Sequence, residues 1–217
     1  MKRKFLALLQ AGLLLMACDS DSGTDTDPNI PIPGARTSIP DANFEAALVA
    51  LGLDDEVDGS VLTSRIEGVQ RLDVANQGIQ DLTGIGGFKA LIDLSVRDNA
   101  LTALDIRSNT NLLFVWAENN QLTRLQIGVN PGIEKIGASG NQLTGLDLAD
   151  YTSLQLLDLA NNQITSIDVS TLPLPSFNEF RIEGNPLTCI LVSPQQLASI
   201  PASWSKDESD EYSLDCE

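Results

Sequence analysis

The chain has 217 residues, with 13 Lys or Arg and 30 Asp or Glu, so its formal net charge at pH 7 is −17. It contains no histidine, which excludes Ser-His-Asp and Cys-His catalytic sites and all His-ligated metal sites. A nucleic-acid partner is also disfavoured, because the chain has no basic stripe to displace counterions from phosphates.

Residues 1–17 predict a cleaved export signal. Lys2, Arg3 and Lys4 form a basic head, and a largely apolar run follows over residues 5–16. Because a membrane-spanning helix needs about 20 apolar residues, this run is too short to cross a bilayer stably. Its length and basic head are typical of a signal peptide that is removed after export.

The signal ends in Leu15-Met16-Ala17-Cys18, which resembles the lipobox of bacterial lipoproteins. The resemblance implies cleavage before Cys18 and acylation of that residue; an ordinary secretory signal with a chance cysteine is the alternative. The cleaved chain would keep ten basic and thirty acidic residues, a charge of −20. Anionic head groups repel such a chain, so we expect the lipid on Cys18 to be its only membrane attachment.

Residues 18–38 combine the lipidated cysteine with a predicted disordered tether, DSDSGTDTDPNIPIPGARTS. The segment has too few large apolar side chains to offset the entropy lost on folding. A solvated charge run is favoured over a calcium loop. By resemblance, acidic residues after such a cysteine direct some Gram-negative lipoproteins to the cell surface and hold others in the inner membrane. We expect an exported lipoprotein of the cell envelope in the outer membrane, with surface exposure and inner-membrane retention left open.

Residues 39–68 predict an N-terminal cap that begins with a short helix in PDANFEAALVALGLDD. Asp41 suits the N-cap position, and Gly52 suits the position just after the helix. Apolar residues at helical spacing form one face, which should cover the first repeat. They are Phe44, Ala47, Leu48 and Leu51.

The acidic turn DDEVDG at residues 54–59 resembles the start of an EF-hand calcium loop. The twelfth position of such a loop needs a bidentate glutamate, and this chain has Arg65 there. A polar turn within the cap is the favoured interpretation, so no metal is expected.

Residues 69–190 contain an internal repeat of six units with the pattern apolar-x-x-apolar-x-apolar-x-x-Asn. The units begin at Val69, Leu91, Leu112, Ile133, Leu154 and Phe177, 21 to 23 residues apart. Their ninth positions hold Gln77, Asn99, Asn120, Asn141, Asn162 and Asn185. This pattern and period resemble the leucine-rich repeat, which implies a right-handed, horseshoe-like solenoid with one short strand per unit.

Within each unit the apolar residues at positions four and six alternate with polar ones, as in a strand with one buried face. Stacked units would form a parallel sheet on the concave side, and the asparagines would form a buried hydrogen-bonded ladder. The convex side of the first unit has the three-residue apolar spacing of a 3₁₀ or helical turn. Units two to five predict a more extended convex wall.

Residues 191–217 predict a C-terminal cap. Cys189 and Cys216 are the two cysteines that remain beside Cys18, and in an exported protein they suggest a disulfide. Closing a loop of this size stabilises a fold by about 3–4 kcal/mol in the chain-entropy model. Trp204 lies between the two cysteines and should pack on the last coil.

The two ends of the repeat extend the resemblance. The segments IPDANFEAAL…VLT…VQRLDVANQGIQDLTGI and NPLTC…W…DC are similar to the caps of secreted, internalin-like leucine-rich-repeat lipoproteins of Gram-negative bacteria. With these caps the resemblance spans residues 38–217. Members of that group often carry cysteines in the repeat strands, and this chain has none there.

Positions three, five and seven of each unit should point outward from the concave sheet. Phe114 and Trp116 occupy two of these positions in one strand, and Ser95 and Gly137 flank Trp116, so its ring should be accessible. Exposed aromatic residues next to cations are typical of a binding hot spot. The other residues predicted for this ligand-binding surface are Arg97, Lys135, Glu118, Leu156, Asp158 and Arg181. The alternative is that the two rings cover Leu156 and complete the sheet.

These features favour a non-catalytic, monomeric binding module that is held at a membrane by its lipid and presents its concave face to a protein or a glycan. We expect no cofactor other than that lipid and no catalytic residue, because the sequence places none of its many carboxylates in an apolar pocket. A self-associating structural component of the envelope is the first alternative. A carbohydrate-active accessory protein or enzyme is the second.

Overall fold

The computed structural model describes residues 34–216, in which short strands stack into a solenoid. In chain order the elements are β1 Arg36–Ser38, α1 Ala42–Ala50, β2 Ser60–Leu62, α2 Thr63–Ile66, β3 Arg71–Asp73, a 3₁₀ turn Ile85–Gly87, β4 Asp93–Ser95, β5 Ala103–Asp105, β6 Phe114–Trp116, β7 Arg124–Gln126, β8 Lys135–Gly137, β9 Leu156–Asp158, β10 Ser166–Asp168, β11 Glu179–Arg181, β12 Cys189–Leu191, α3 Pro194–Ala198, β13 Trp204–Ser205 and β14 Tyr212–Ser213. The 3₁₀ turn lies on the convex side of the first unit, where the apolar spacing predicts it.

The concave side is a parallel sheet of seven strands in the order β3, β4, β6, β8, β9, β11, β13. Its register places the same repeat position of successive units side by side. Phe114 pairs with Lys135 and Lys135 with Leu156, while Trp116 pairs with Gly137. This arrangement confirms the predicted leucine-rich-repeat solenoid.

The hydrophobic core is a column that runs the length of the solenoid. Residues at positions four and six of the units, such as Leu94, Val96 and Leu157, are fully buried. Each unit contributes one layer to this column, so its apolar side chains are covered mainly by the units on either side.

The predicted asparagine ladder is present. The side-chain amide of Asn141 donates hydrogen bonds to the carbonyl oxygens of Ala117 (2.9 Å) and Ala138 (3.0 Å). Its Oδ1 accepts one from the backbone amide of Leu122 (2.9 Å). The same pattern recurs at Asn120, Asn162 and Asn185. One side chain therefore satisfies buried backbone groups of two successive turns.

The carboxylate of Asp41 joins the N-terminal cap to the first repeat. Its Oδ1 accepts hydrogen bonds from the backbone amides of Asn43 (2.9 Å) and Phe44 (3.0 Å), which caps α1 as predicted. Its Oδ2 accepts two more from Gln80 (2.8 Å) and Asp81 (2.9 Å) in the first unit. Burial raises the pKa of Asp41, but these four amides outweigh it and hold the pKa below its ordinary value of 3.8.

The predicted apolar face of α1 is correct for three of its four residues. Phe44, Ala47 and Leu48 are buried against the repeats, and Leu51 is 51% exposed. The helix ends at Ala50, so Leu51 lies in the turn that follows and leaves the buried face. The prediction was wrong there because it continued the helical period beyond the end of the helix.

The convex wall is extended in most units, with β5 paired to β7 and β10 to β12 and β14. The fourth unit differs from the prediction: residues 143–148 form no strand, and Leu146 is only partly buried. Tyr151 is buried in this unit, where the two preceding units have Asn109 and Asn130. The first position of the missing strand is Gly145, where units two, three and five have Ala, Arg and Ser, and a glycine inside a strand weakens it. Burial raises the pKa of Tyr151 to about 12.

The C-terminal cap closes the other end of the column. Cys189 and Cys216 form the predicted disulfide. Trp204 packs on the last coil as expected, with its ring centroid 5.1 Å from that of Phe177 and 5.4 Å from that of Phe180. The strand β13, which contains Trp204, also adds a seventh rung to the concave sheet, which the repeat pattern did not predict.

The signal peptide, Cys18 and most of the predicted tether lie outside the described residues. The end of the tether is ordered, because Arg36–Ser38 forms β1 and pairs antiparallel with β2. The guanidinium of Arg36 holds this strand through Asp58 (2.7 Å) and Ser60 (2.6 Å). The predicted boundary at residue 38 is therefore too late. No helix within residues 34–216 is long and apolar enough to span a membrane.

Candidate binding surface on the concave face

Most of the residues predicted for the ligand-binding surface lie together on four adjacent strands or shortly after them. We define the concave patch as Arg97, Phe114, Trp116, Glu118, Lys135 and Leu156. Its middle strand, β8, is the fourth of the seven strands, so the patch lies at the centre of the concave sheet. Asp158 and Arg181 form a separate ion pair beside it.

Trp116 packs against an arginine of the preceding unit, and a glutamate of its own unit holds that arginine. The guanidinium carbon of Arg97 lies 4.6 Å from the ring centroid of Trp116. The same guanidinium donates hydrogen bonds to Glu118, 2.7 Å from Nε to Oε2 and 3.1 Å from Nη2 to Oε1. The bond to Glu118 raises the pKa of Arg97 despite partial burial. The cation therefore has a fixed position over the indole.

Gly137 provides the space in which the indole of Trp116 and the carboxylate of Glu118 pack. A methyl group added at this residue would lie 2.8 Å from Cδ of Glu118 and 2.9 Å from Cε3 of Trp116. Both distances are shorter than ordinary van der Waals contacts. Only the missing side chain on β8 lets the indole and the carboxylate take their observed positions.

The two aromatic rings are less exposed than predicted. Phe114 and Trp116 face the concave side, but both residues are half-buried. Arg97 covers one face of the indole, and Nζ of Lys135 lies 5.8 Å from the ring centroid of Phe114. Gly137 does not leave the indole open, because the ring edge fills the space beside it. Neighbouring parallel strands are about 4.8 Å apart, so long cationic side chains readily reach the adjacent ring.

Ion pairs surround the concave patch. Arg71 contacts Asp93 (3.1 Å) near the N-terminal end of the sheet. Arg181 contacts Asp158 (3.4 Å) and Glu179 (3.7 Å) near the other end. Burial raises the pKa of Asp158, and its partner Arg181 opposes that rise. These carboxylates face guanidinium groups, an arrangement that suits recognition more than proton transfer.

The acidic turn after α1 is held by arginines. Asp55 contacts Arg65 (2.5 Å) and Asp58 contacts Arg36 (2.7 Å). Glu45 is buried and its carboxylate accepts backbone hydrogen bonds from the same turn. Within the described part of the chain, no group of acidic or cysteine side chains is arranged to hold a metal ion.

No protein-family model matches this sequence, and no curated protein matches it. Among solved structures, the functional domain of InlJ from Listeria monocytogenes, which includes a cysteine ladder, matches with a TM-score of 0.51 and 23% identity over 84% of this chain and 50% of that chain. A leucine-rich-repeat protein of Leptospira interrogans matches with a TM-score of 0.44 and 21% identity over 59% of this chain and 40% of that one. The Listeria monocytogenes internalin InlF matches with a TM-score of 0.43 and 16% identity over 81% of this chain and 71% of that chain.

The observed sheet and the likeness to InlJ define the chain as a leucine-rich-repeat solenoid. The chain spans half the length of the InlJ structure. This particular solenoid has six repeat units, an asparagine ladder and a C-terminal cap closed by a disulfide. Its cysteines are residues 18, 189 and 216, so its concave strands carry no cysteine ladder.

Proposed function

We propose that this chain is a non-catalytic binding module that is anchored to a membrane and holds a protein against the concave patch. The observation that carries the proposal is the aromatic pair at the centre of the sheet, with two cations placed on its rings. Half-buried aromatic residues surrounded by polar groups are typical of binding hot spots in protein interfaces. The polar ion pairs on both sides of the patch would form the rim of such an interface.

A protein ligand is favoured over a glycan by the position of Arg97. Sugars bind proteins largely by stacking on open aromatic faces, and the guanidinium of Arg97 already lies 4.6 Å from the ring centre of Trp116. Glu118 holds that guanidinium in place. A peptide can instead use the edge of the indole together with the apolar surfaces of Phe114 and Leu156.

The test is affinity capture with the full chain from envelope and environmental extracts, quantified by mass spectrometry. The double variant Trp116→Ala, Phe114→Ala should reduce recovery of the genuine partner by at least about tenfold, the effect of losing two hot-spot side chains. Val129→Ala is the matched control, because Val129 is apolar and 72% exposed outside the concave sheet. Thermal unfolding by circular dichroism checks that all variants are folded. Equal recovery of every captured protein by wild type and double variant would contradict a concave binding site.

The membrane anchor is part of the proposal, and the signal ending in Cys18 supports it. The full chain should incorporate an alkyne-labelled fatty acid and sediment with outer membranes on a density gradient. Cys18→Ala should lose both the label and the sedimentation, whereas Ser20→Ala should keep both. A Cys18→Ala chain that still carries the label would contradict lipidation at this residue. Sedimentation of the wild-type chain with inner membranes would contradict the outer-membrane location.

A further inference from the structure

Lys135 differs from the other cations of the concave sheet because no carboxylate neutralises it. Arg71, Arg97 and Arg181 each contact an acidic side chain within 3.4 Å. Across residues 34–216, Lys135 forms no ion pair and no side-chain hydrogen bond, and its Nζ lies 5.8 Å from the ring centroid of Phe114. It is thus a free positive charge in the middle strand of the sheet.

The side chains beside Lys135 are apolar. Phe114 precedes it and Leu156 follows it in the same column of the sheet, and both residues are half-buried. Adjacent rungs are about 4.8 Å apart, so a group bound at Lys135 would touch both neighbours. A half-buried cation with apolar surface on each side attracts a counter-charge more strongly than a fully hydrated one.

We propose that the partner presents an extended peptide segment in which a carboxylate pairs with Lys135 and an adjacent apolar side chain rests on Phe114 and Leu156. This rests on the proposed function, because it assigns the partner of the same surface. A lone ammonium suits one carboxylate, whereas a phosphate or a sulfated glycan is usually held by several cations or by the fork of an arginine. The many acidic side chains of this chain also repel ligands with several negative charges.

The test uses a phage-displayed library of random dodecapeptides, selected on the immobilised full chain and on its Lys135→Glu variant. We expect the wild type to enrich peptides with Asp or Glu next to a large apolar residue. Lys135→Glu should lose that preference and enrich Lys or Arg at the same place, because the charge at the centre of the patch is reversed. Three results would overturn the proposal. The wild type could enrich peptides without a carboxylate, it could enrich no peptide at all, or both proteins could enrich the same peptides.

The affinity of the most enriched peptide for the wild type and for point variants tests the proposal quantitatively. Lys135→Gln should weaken its binding about tenfold, as expected for loss of a close charge pair at an interface. Arg124→Gln, which removes an exposed cation from the convex strand β7, should leave the affinity unchanged. A change of less than twofold for Lys135→Gln would contradict the assignment of the carboxylate.

The two proposals fail in different ways. If Trp116→Ala, Phe114→Ala abolishes peptide binding but Lys135→Glu leaves the selected peptides unchanged, the concave site stands and the acidic partner is wrong. If the aromatic double variant binds the same peptides with unchanged affinity, the concave site itself is wrong.

Discussion

Replacing Asn141 by alanine is expected to lower the free energy of unfolding by about 3–5 kcal/mol, a large effect for one substitution. The side chain of Asn141 makes hydrogen bonds to Ala117, Ala138 and Leu122, so its removal leaves buried backbone groups of two turns without partners. Each such group costs about 1–3 kcal/mol when it is buried and unpaired. Urea unfolding of the full chain, followed by circular dichroism, measures the loss.

The matched control is Gln77→Ala, at the same repeat position in the first unit. Gln77 is exposed, and its Nε2 donates only to the carbonyl oxygen of Ala75 (2.9 Å). We expect this change to cost less than about 1 kcal/mol, because water replaces the lost partner. Similar losses for the two variants would show that the asparagine ladder does not stabilise the solenoid.

Replacing Asp41 by alanine should lower stability by about 2–4 kcal/mol at pH 7, more than the loss of an N-cap alone. Its carboxylate accepts four backbone hydrogen bonds, two in α1 and two from Gln80 and Asp81 in the first repeat. The substitution therefore uncaps the helix and detaches it from the coil that it covers. Asp147→Ala is the control, because Asp147 accepts only a local hydrogen bond from Ala149.

The contribution of Asp41 should also depend on pH in a defined direction. The folded protein holds the pKa of Asp41 below its ordinary value of 3.8. The carboxylate therefore contributes its full stabilisation above the unfolded pKa, and this is lost as the pH falls through the folded pKa. The stability difference between wild type and Asp41→Ala should be constant near neutrality and shrink below about pH 4. A difference that grew on acidification would show that the charge of Asp41 is not what stabilises the cap.

Position eight of the repeat holds only Asn, Asp or Gly in all six units. The residue at position eight of every unit adopts a positive φ, close to 55° at Asn76, Asp98, Asn119 and Asn161. Glycine takes the same place at Gly140 and Gly184. Asn, Asp and Gly tolerate the left-handed conformation best, so their exclusive use at position eight marks where every coil turns away from the concave sheet.

The sequence by itself determined the repeat, its register, the asparagine ladder and the disulfide-closed end. These follow from a short local rule, since each unit of about 21 residues must bury the same apolar positions and satisfy the same backbone groups. Position in the repeat therefore predicts which column of the sheet a residue enters, as it does for Phe114, Lys135 and Leu156.

Only the tertiary structure decided how these columns interact across neighbouring units. Side-chain directions on adjacent strands decide three features of the concave patch. They place Arg97 over Trp116, fill the space beside Gly137 and leave Lys135 without a carboxylate partner. The outward turn of Leu51 and the missing convex strand at residues 143–148 depend on where a helix ends and where a strand fails to pair. Periodicity carries no information on such distances, because it specifies which face a residue occupies and not what lies against it.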